Sequence, residues 1–347
     1  MDVQNDLTWI EQLAPDFLTT IRQRYLILQR IHWLGPVGRR TLAQELELSE
    51  RVLRTETDLL KASGLILSSK SGMVLTEGGQ EVLTKLDGIM SSLMGFPQKE
   101  KQLSKLLGID HVLIVSGNSD QQPQVLHRLG QLLNSTLSML LPDGRNVIAA
   151  MGGTTMAAVA QELTPVLSKD RQLLFVPARG GVGERVDIQA NAICSQMAQN
   201  TGGEHRSLYV PENVSEQTYE PLLKEPSIKP VLDLIASANV VVHSIGGAMT
   251  MASRRHMPTE VVTKLQQDHA VAEAFGYFFD EDGQVVYKIP RIGLQIRDLT
   301  EIPYVFAIAA GANKAKAVQA YMHNAPHQTW FITDEAAANS LLKGATF

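Results

Sequence analysis

The sequence predicts an α/β chain in which an N-terminal winged helix-turn-helix precedes a larger, doubly wound, Rossmann-like parallel-sheet domain. Three observations carry that prediction. Apolar residues recur at helical spacing through the first sixty or so positions and give way to a short hairpin pattern. Beyond His111 they gather instead into short β-rich runs separated by helical stretches. Several of those runs end in turns built from glycine and other small residues.

In chain order, Leu13, Phe17, Ile21, Tyr25, Leu28 and Ile31 step by three and four, the period of an amphipathic helix, and Gly35-Pro36 stops it. A second helix spans Arg39 to Glu45, with Leu42, Ala43 and Leu46 facing inward. Glu47-Leu48-Ser49 makes a tight turn, and Ser49 caps a third helix carrying Val52, Leu53, Leu59 and Leu60, which Gly64 closes. Leu65–Leu67, the turn from Ser68 to Gly72, and Met73–Leu75 read as a hairpin. Helix, helix, tight turn, helix, hairpin is the order of a winged helix-turn-helix; a generic small helical bundle is the alternative. Residues 1–77 form this first domain.

After Thr76, the residues Val82, Leu86, Ile89 and Leu93 make a coiled-coil-like seam over about two heptads. Residues 78–107 therefore read as a helical linker that dimerises, although the same stripe could pack on the domain that follows. From 108 to 347 the runs His111–Ser116, Asn146–Met151, Leu173–Pro177, Val240–Ser244, Tyr304–Ala309 and Thr329–Ile332 are expected as parallel strands. Phe278–Phe279 and Val285–Tyr287 flank the turn from Asp280 to Gly283 as a hairpin. That turn lacks the further ligands of a twelve-residue calcium loop.

Composition excludes several classes. Apolar residues at 44% with charged residues at 19% argue against global disorder. No apolar run approaches the roughly 18 residues of a membrane span, and the acidic N-terminus does not resemble a signal peptide. Cys194 is the only cysteine, so no intrachain disulfide or cysteine metal cluster is expected, and a reducing, cytoplasmic location follows. The nine histidines show no metal-ligand spacing, so no metal or cofactor is expected. The net charge of −5 disfavours nucleic acid as a partner, but its distribution does not. Residues 22–54 hold Arg22, Arg24, Arg30, Arg39, Arg40, Arg51 and Arg54 against Glu45, Glu47 and Glu50.

The glycine turns carry the chemistry. Gly152-Gly153-Thr154-Thr155, Arg179-Gly180-Gly181, Gly246-Gly247-Ala248 and Gly311-Ala312-Asn313-Lys314 each follow a predicted strand. Ligands of open α/β sheets bind outside the carboxyl ends of the strands, so these turns are expected on one rim. In the first, glycines admit a phosphate close to the backbone, two hydroxyls donate to it, and a helix N-terminus supplies free N–H groups. It is neither a Walker A loop nor a dinucleotide fingerprint. Arg179 and Lys314 would add two cations, which together suit a doubly phosphorylated small molecule. Glu273, read as part of a helical stretch, is by itself as easily a solvated carboxylate. Cys194 reads as a small core residue.

These segments resemble a known family. VGRRTLAQELELSERVLRTETDLLKASGLI, IVSGNSDQ, GGTTMAAVA, LLFVPARGGVGE, QANAIC, AEAFGYFFD and AAGANKAKAVQAYM are similar to the glycolytic-operon repressors of the SorC/DeoR-like group, over nearly the whole chain. The resemblance implies a repressor of lower-glycolytic genes induced by fructose 1,6-bisphosphate, with a sensing domain similar to sugar-phosphate isomerases that have lost catalysis. It implies an effector site of Gly152, Gly153, Thr154, Thr155, Arg179, Gln189, Arg254 (or its neighbour Arg255), Glu273 and Lys314. On the same reading, the helix from Glu50 enters the DNA major groove, with Arg51 and Arg54 at base edges or phosphates. Arg39 and Arg40 contact the backbone, Ser49 opens the helix, and Lys70 lies on the wing. Operator DNA, a phosphosugar and further copies of the chain, in a dimer or a tetramer, are the expected partners. The rival is an active sugar-phosphate isomerase or deaminase, but no compact Asp/His/Glu set follows the strands to serve as its acid and base.

Overall fold

The apolar periodicity at the N-terminus becomes a three-helix core with a two-stranded wing. In the computed structural model, which describes residues 13–46, 48–93, 95–180, 185–210 and 216–344, the chain divides into two compact units, residues 1–98 and 99–347. The first holds α1 (Pro15–Leu34), α2 (Arg39–Glu45), α3 (Glu50–Ala62), β1 (Ile66–Ser69), β2 (Gly72–Leu75) and α4 (Glu77–Leu93). Tyr25, Leu28 and Ile31 of α1 pack with Leu42, Leu53, Leu60 and Ile66 in its core. The predicted stripe does not extend to its beginning: Leu13 and Phe17 stay exposed.

Ser49 accepts from the Val52 N–H at 3.3 Å and so starts α3. Leu53, Thr57 and Leu60 bury one face of that helix. Arg24 of α1 pairs with Glu56 of α3 at 2.7 Å, locking the two helices together on a partly buried face. β1 and β2 pair antiparallel, and reciprocal backbone bonds between Val37 and Met73 add a third rung, as expected of a winged helix. Of the tight turn before α3, Glu47 lies outside the described residues.

The expected linker is divided. α4 packs along α1 within the first unit, while α5 (Phe96–Leu107) continues into the second. On α4 the buried side chains are Leu83 and Met90. Val82, Leu86 and Leu93 are half-buried and Ile89 is exposed.

The second unit is built on seven parallel strands: β3 (His111–Val115), β4 (Gly144–Ala150), β5 (Arg171–Pro177), β6 (Glu204–His205), β7 (Val240–Ser244), β12 (Tyr304–Ile308) and β13 (Thr329–Asp334). Their spatial order is β3-β13-β12-β7-β4-β5-β6. The predicted runs are buried on both faces, which is why they read as continuous apolar stretches. From β4 the chain grows toward β5 and β6, then returns to place β7 on the other side of β4. The order therefore reverses between β4 and β7, the position at which open sheets leave a crevice.

Four further strands form a separate antiparallel sheet: β8 (Gly246–Gly247), β9 (Ala272–Ala274), β10 (Tyr277–Phe279) and β11 (Val285–Lys288), in the order β11-β10-β9-β8. The β10–β11 hairpin is the predicted one, and Asp280 closes its turn by accepting from the Asp282 and Gln284 N–H groups. The Glu273 reading is corrected here. The residue lies on β9 rather than a helix and is 4% exposed, because β9 pairs with β8 and β10 on its two sides. Cys194 is fully buried on α8 (Ala190–Thr201), which follows β5, and burial pushes its thiol up to about 12.

Candidate functional site

The loops after β4, β5, β7 and β12 converge, as their glycines predict, on a cleft of about 570 Å³ including its open mouth. Its walls include Gly152, Gly153, Thr154, Thr155, Arg179, Ser244, Thr250, Arg254, Arg255, Glu273 and Lys314. At the turn after β4 a Cβ on Gly152 would lie 2.7 Å from the Ile188 carbonyl, and Gly153 takes φ +131°, so the turn accepts no side chain at either position. Thr154 and Thr155 then open α7 (Thr154–Gln161), whose N-terminus no side chain caps. Its free N–H groups and positive dipole end face the cleft mouth, a ready anion seat. Gln189 is not among the lining residues; it precedes α8, next to the backbone that touches Gly152. Gly181 lies outside the described residues.

Among the described residues, the cations Arg179, Arg254, Arg255 and Lys314 line the cleft against one carboxylate, that of Glu273. Sequence left Arg254 and Arg255 as alternatives, and the structure gives them different places. Arg255 Nη2 meets Glu273 Oε1 at 3.1 Å, with both side chains 5% exposed. Arg254, at the end of α11 (Ala248–Arg254), lies close enough to Lys314 for their charges to repel. Burial alone would raise the Glu273 carboxyl, but Arg255, Arg291 and Arg179, with the Gly276 N–H, hold it below its ordinary value. It is therefore a fixed anion that organises guanidinium groups. Arg255 and Arg291 were not singled out from sequence as its partners, since no local spacing links them to Glu273.

Lys314 opens the helix α13 (Ala315–Met322) and is placed by carboxylates on neighbouring loops. Asp334, fully buried at the end of β13, accepts from the N–H groups of Ser119, Gly311 and Ala337 at 2.7–3.0 Å. Asp120 accepts from the Asn313 N–H at 3.3 Å. Burial first, and then Arg254, pull the Lys314 ammonium below the usual lysine range, against the opposing pull of Asp120 and Glu273. The charged form is present below that depressed value and lost as pH rises through it. An anion held here is thus expected to bind progressively more weakly at alkaline pH, before an ordinary lysine would titrate. Phosphate titrations across the alkaline range would show this in the wild type and not in Lys314→Met.

In the first unit the second group of candidates lies on the surface. Arg51 and Arg54 are exposed on α3, opposite its buried face. Arg54 makes a loose, solvent-exposed pair with Asp58 at 3.9 Å. Arg39 and Arg40 begin α2, and Lys70 lies in the β1–β2 turn, all exposed. Val52, which sequence placed on the inner face of α3, is exposed beside Arg51.

Comparison with known proteins follows this division. Residues 20–90 match the family described as "CggR N-terminal DNA binding domain", and residues 92–343 match "Putative sugar-binding domain". Fold and families together define a DNA-binding transcriptional regulator with a sugar-binding domain, a class of regulators and not of enzymes. The Central glycolytic genes regulator of Bacillus subtilis (strain 168) is 44% identical over 333 residues, 96% of this chain and 97% of that protein. The chain belongs to the central glycolytic genes regulator family, among the SorC-type sugar-binding regulators. A SorC family regulator structure from Enterococcus faecalis is 58% identical with a TM-score of 0.68, covering 71% of this chain and 99% of that one. The full-length sorbitol operon regulator SorC from Klebsiella pneumoniae covers 92% of this chain and 97% of its own, with a TM-score of 0.63. At 17% identity that likeness speaks to fold alone. Among the described residues no helix is long and apolar enough to cross a membrane.

Proposed function

We propose that this protein represses glycolytic genes by binding operator DNA through α3, and that fructose 1,6-bisphosphate in the cleft releases it. The observation that carries the effector reading is the charge of the cleft: among its described lining residues, four cations against one carboxylate, beside a helix N-terminus that no side chain caps. One phosphate would sit at Thr154-Thr155 with the α7 N–H groups. The other would be held by Arg179 with Lys314, and Arg254 and Glu273 would complete contacts to the sugar. The operon reading comes from the names of the relatives. The half-exposed stripe of α4 supports dimerisation through residues 78–107, pairing two winged helices for two half-sites, with tetramers as a further step. The effector need not pull on DNA; it only has to bind the state with poor DNA geometry more tightly than the competent one.

Calorimetry on the full chain tests the two-phosphate geometry. A monophosphate would fill only one of the two cationic seats and forgo the charge-assisted hydrogen bonds that the other offers. Fructose 1,6-bisphosphate is expected to bind at least tenfold more tightly than fructose 6-phosphate. Equal affinities would remove the second phosphate seat from the reading.

A further inference from the structure

The cleft lining mixes polar groups with Met151, Ile245, Met251 and Phe275, and Phe275 is the one aromatic side chain among its described residues. It occupies the tip of the β9–β10 hairpin, two residues beyond Glu273, and is 4% exposed. Its backbone takes φ +54°, a left-handed conformation in which bulky non-glycine residues are outliers. Such a conformation persists where the surroundings over-determine it, and functional sites are where it clusters.

The surroundings here do so. Gly276 follows at φ +82°, where a Cβ would lie 3.0 Å from Cδ and Nε of Arg291, so the tip has one tight fit against that arginine. The Gly276 N–H donates to Glu273 Oε1 at 2.8 Å, closing the turn on the carboxylate. Behind the Phe275 ring, the fully buried His243 ring lies 4.8 Å away at 57°. His243 Nε2 is 3.1 Å from the Tyr321 hydroxyl. Burial lowers the His243 imidazole to about 4, so at neutral pH the wall behind Phe275 carries no charge. The hairpin thus places an uncharged aromatic ring, almost wholly packed in, among the guanidinium, ammonium and hydroxyl groups of the lining.

We infer that Phe275 is a specificity-determining residue of the cleft, its ring forming the plate on which the C–H face of a sugar rests. Phosphate groups and hydroxyls account for the edges of a phosphosugar, and the cations and backbone N–H groups answer those. The C–H groups of the sugar ring need an apolar surface, and binding pockets characteristically combine such a wall with a few placed polar groups. Met151, Ile245 and Met251 add apolar area to the lining, but none is planar. Phe275 would therefore distinguish a sugar phosphate from an inorganic anion of the same charge. This inference rests on the phosphosugar reading of the cleft.

The test compares fructose 1,6-bisphosphate with inorganic pyrophosphate on the full chain. Phe275→Leu keeps the apolar bulk and removes the ring, and Phe275→Tyr keeps the ring. Phe275→Leu is expected to lose about tenfold in sugar bisphosphate affinity while holding pyrophosphate as the wild type does, and Phe275→Tyr is expected to restore the sugar affinity. Unchanged sugar affinity in Phe275→Leu would overturn the inference. So would parallel losses for both ligands, or equal sugar losses in the two variants, either of which marks a packing role only. Failure of the wild type to bind either ligand would overturn the phosphosugar reading, and this inference with it.

Discussion

Replacing both Arg51 and Arg54 with alanine is expected to abolish specific operator binding while leaving thermal stability unchanged. Both side chains are exposed near the N-terminal end of α3, the end from which a recognition helix reaches base edges. One well-placed base contact supplies about 1–3 kcal/mol of discrimination, so losing two lowers specific affinity by roughly two orders of magnitude or more. Nothing in the folded unit offsets or exaggerates that effect. Leu53, Thr57 and Leu60 hold α3 in place from the opposite face. The Arg54–Asp58 pair that the change breaks is exposed, at 3.9 Å, and of little worth. Fluorescence anisotropy with operator and scrambled duplexes, alongside a melting curve, separates the two readouts. Undiminished operator affinity in the double variant would refute α3 as the recognition helix.

Thr155→Glu is expected to leave a repressor that binds operator and no longer responds to sugar bisphosphate. Thr155 is the second residue of α7, where free N–H groups converge. A carboxylate is favoured there by the helix dipole, so the helix itself should not weaken. A phosphate brought to the same place would meet a like charge. At about 4 Å and an effective dielectric near 20, that repulsion is ~4 kcal/mol, or about a thousandfold in affinity. Wild-type affinity for the bisphosphate in this variant would remove the Gly152–Thr155 turn from the site.

What could be read from the sequence was whatever is local. The six main strands announced themselves because a parallel sheet buries both faces, and the turn that opens α7 because a strand, two glycines and two threonines adjoin in the chain. Strands β8 and β9 did not. One is two glycines and the other is Ala272–Ala274, three residues whose pairing joins segments some twenty-five positions apart. Glu273 accordingly looked like a solvated helical carboxylate until its strand neighbours enclosed it. The same limit applies to Arg254 and Arg255. Adjacent in sequence, they diverge in space, one toward Glu273 and the other toward Lys314. Leu13 and Phe17 show the converse. Leu13 precedes α1, because Ala14 leaves helical geometry, and Phe17 keeps the helical period with its side chain exposed.

The most direct measurement is a titration of fructose 1,6-bisphosphate into a preformed complex of the full chain with operator DNA, followed by anisotropy at fixed ionic strength. Constant salt matters because phosphate contacts make the affinity itself salt-dependent. The complex is expected to dissociate over a saturable range of bisphosphate that matches the calorimetric affinity, with Thr155→Glu unresponsive over that range. An operator complex that saturating bisphosphate leaves intact, although the ligand binds the cleft, would contradict a repressor released by its sugar.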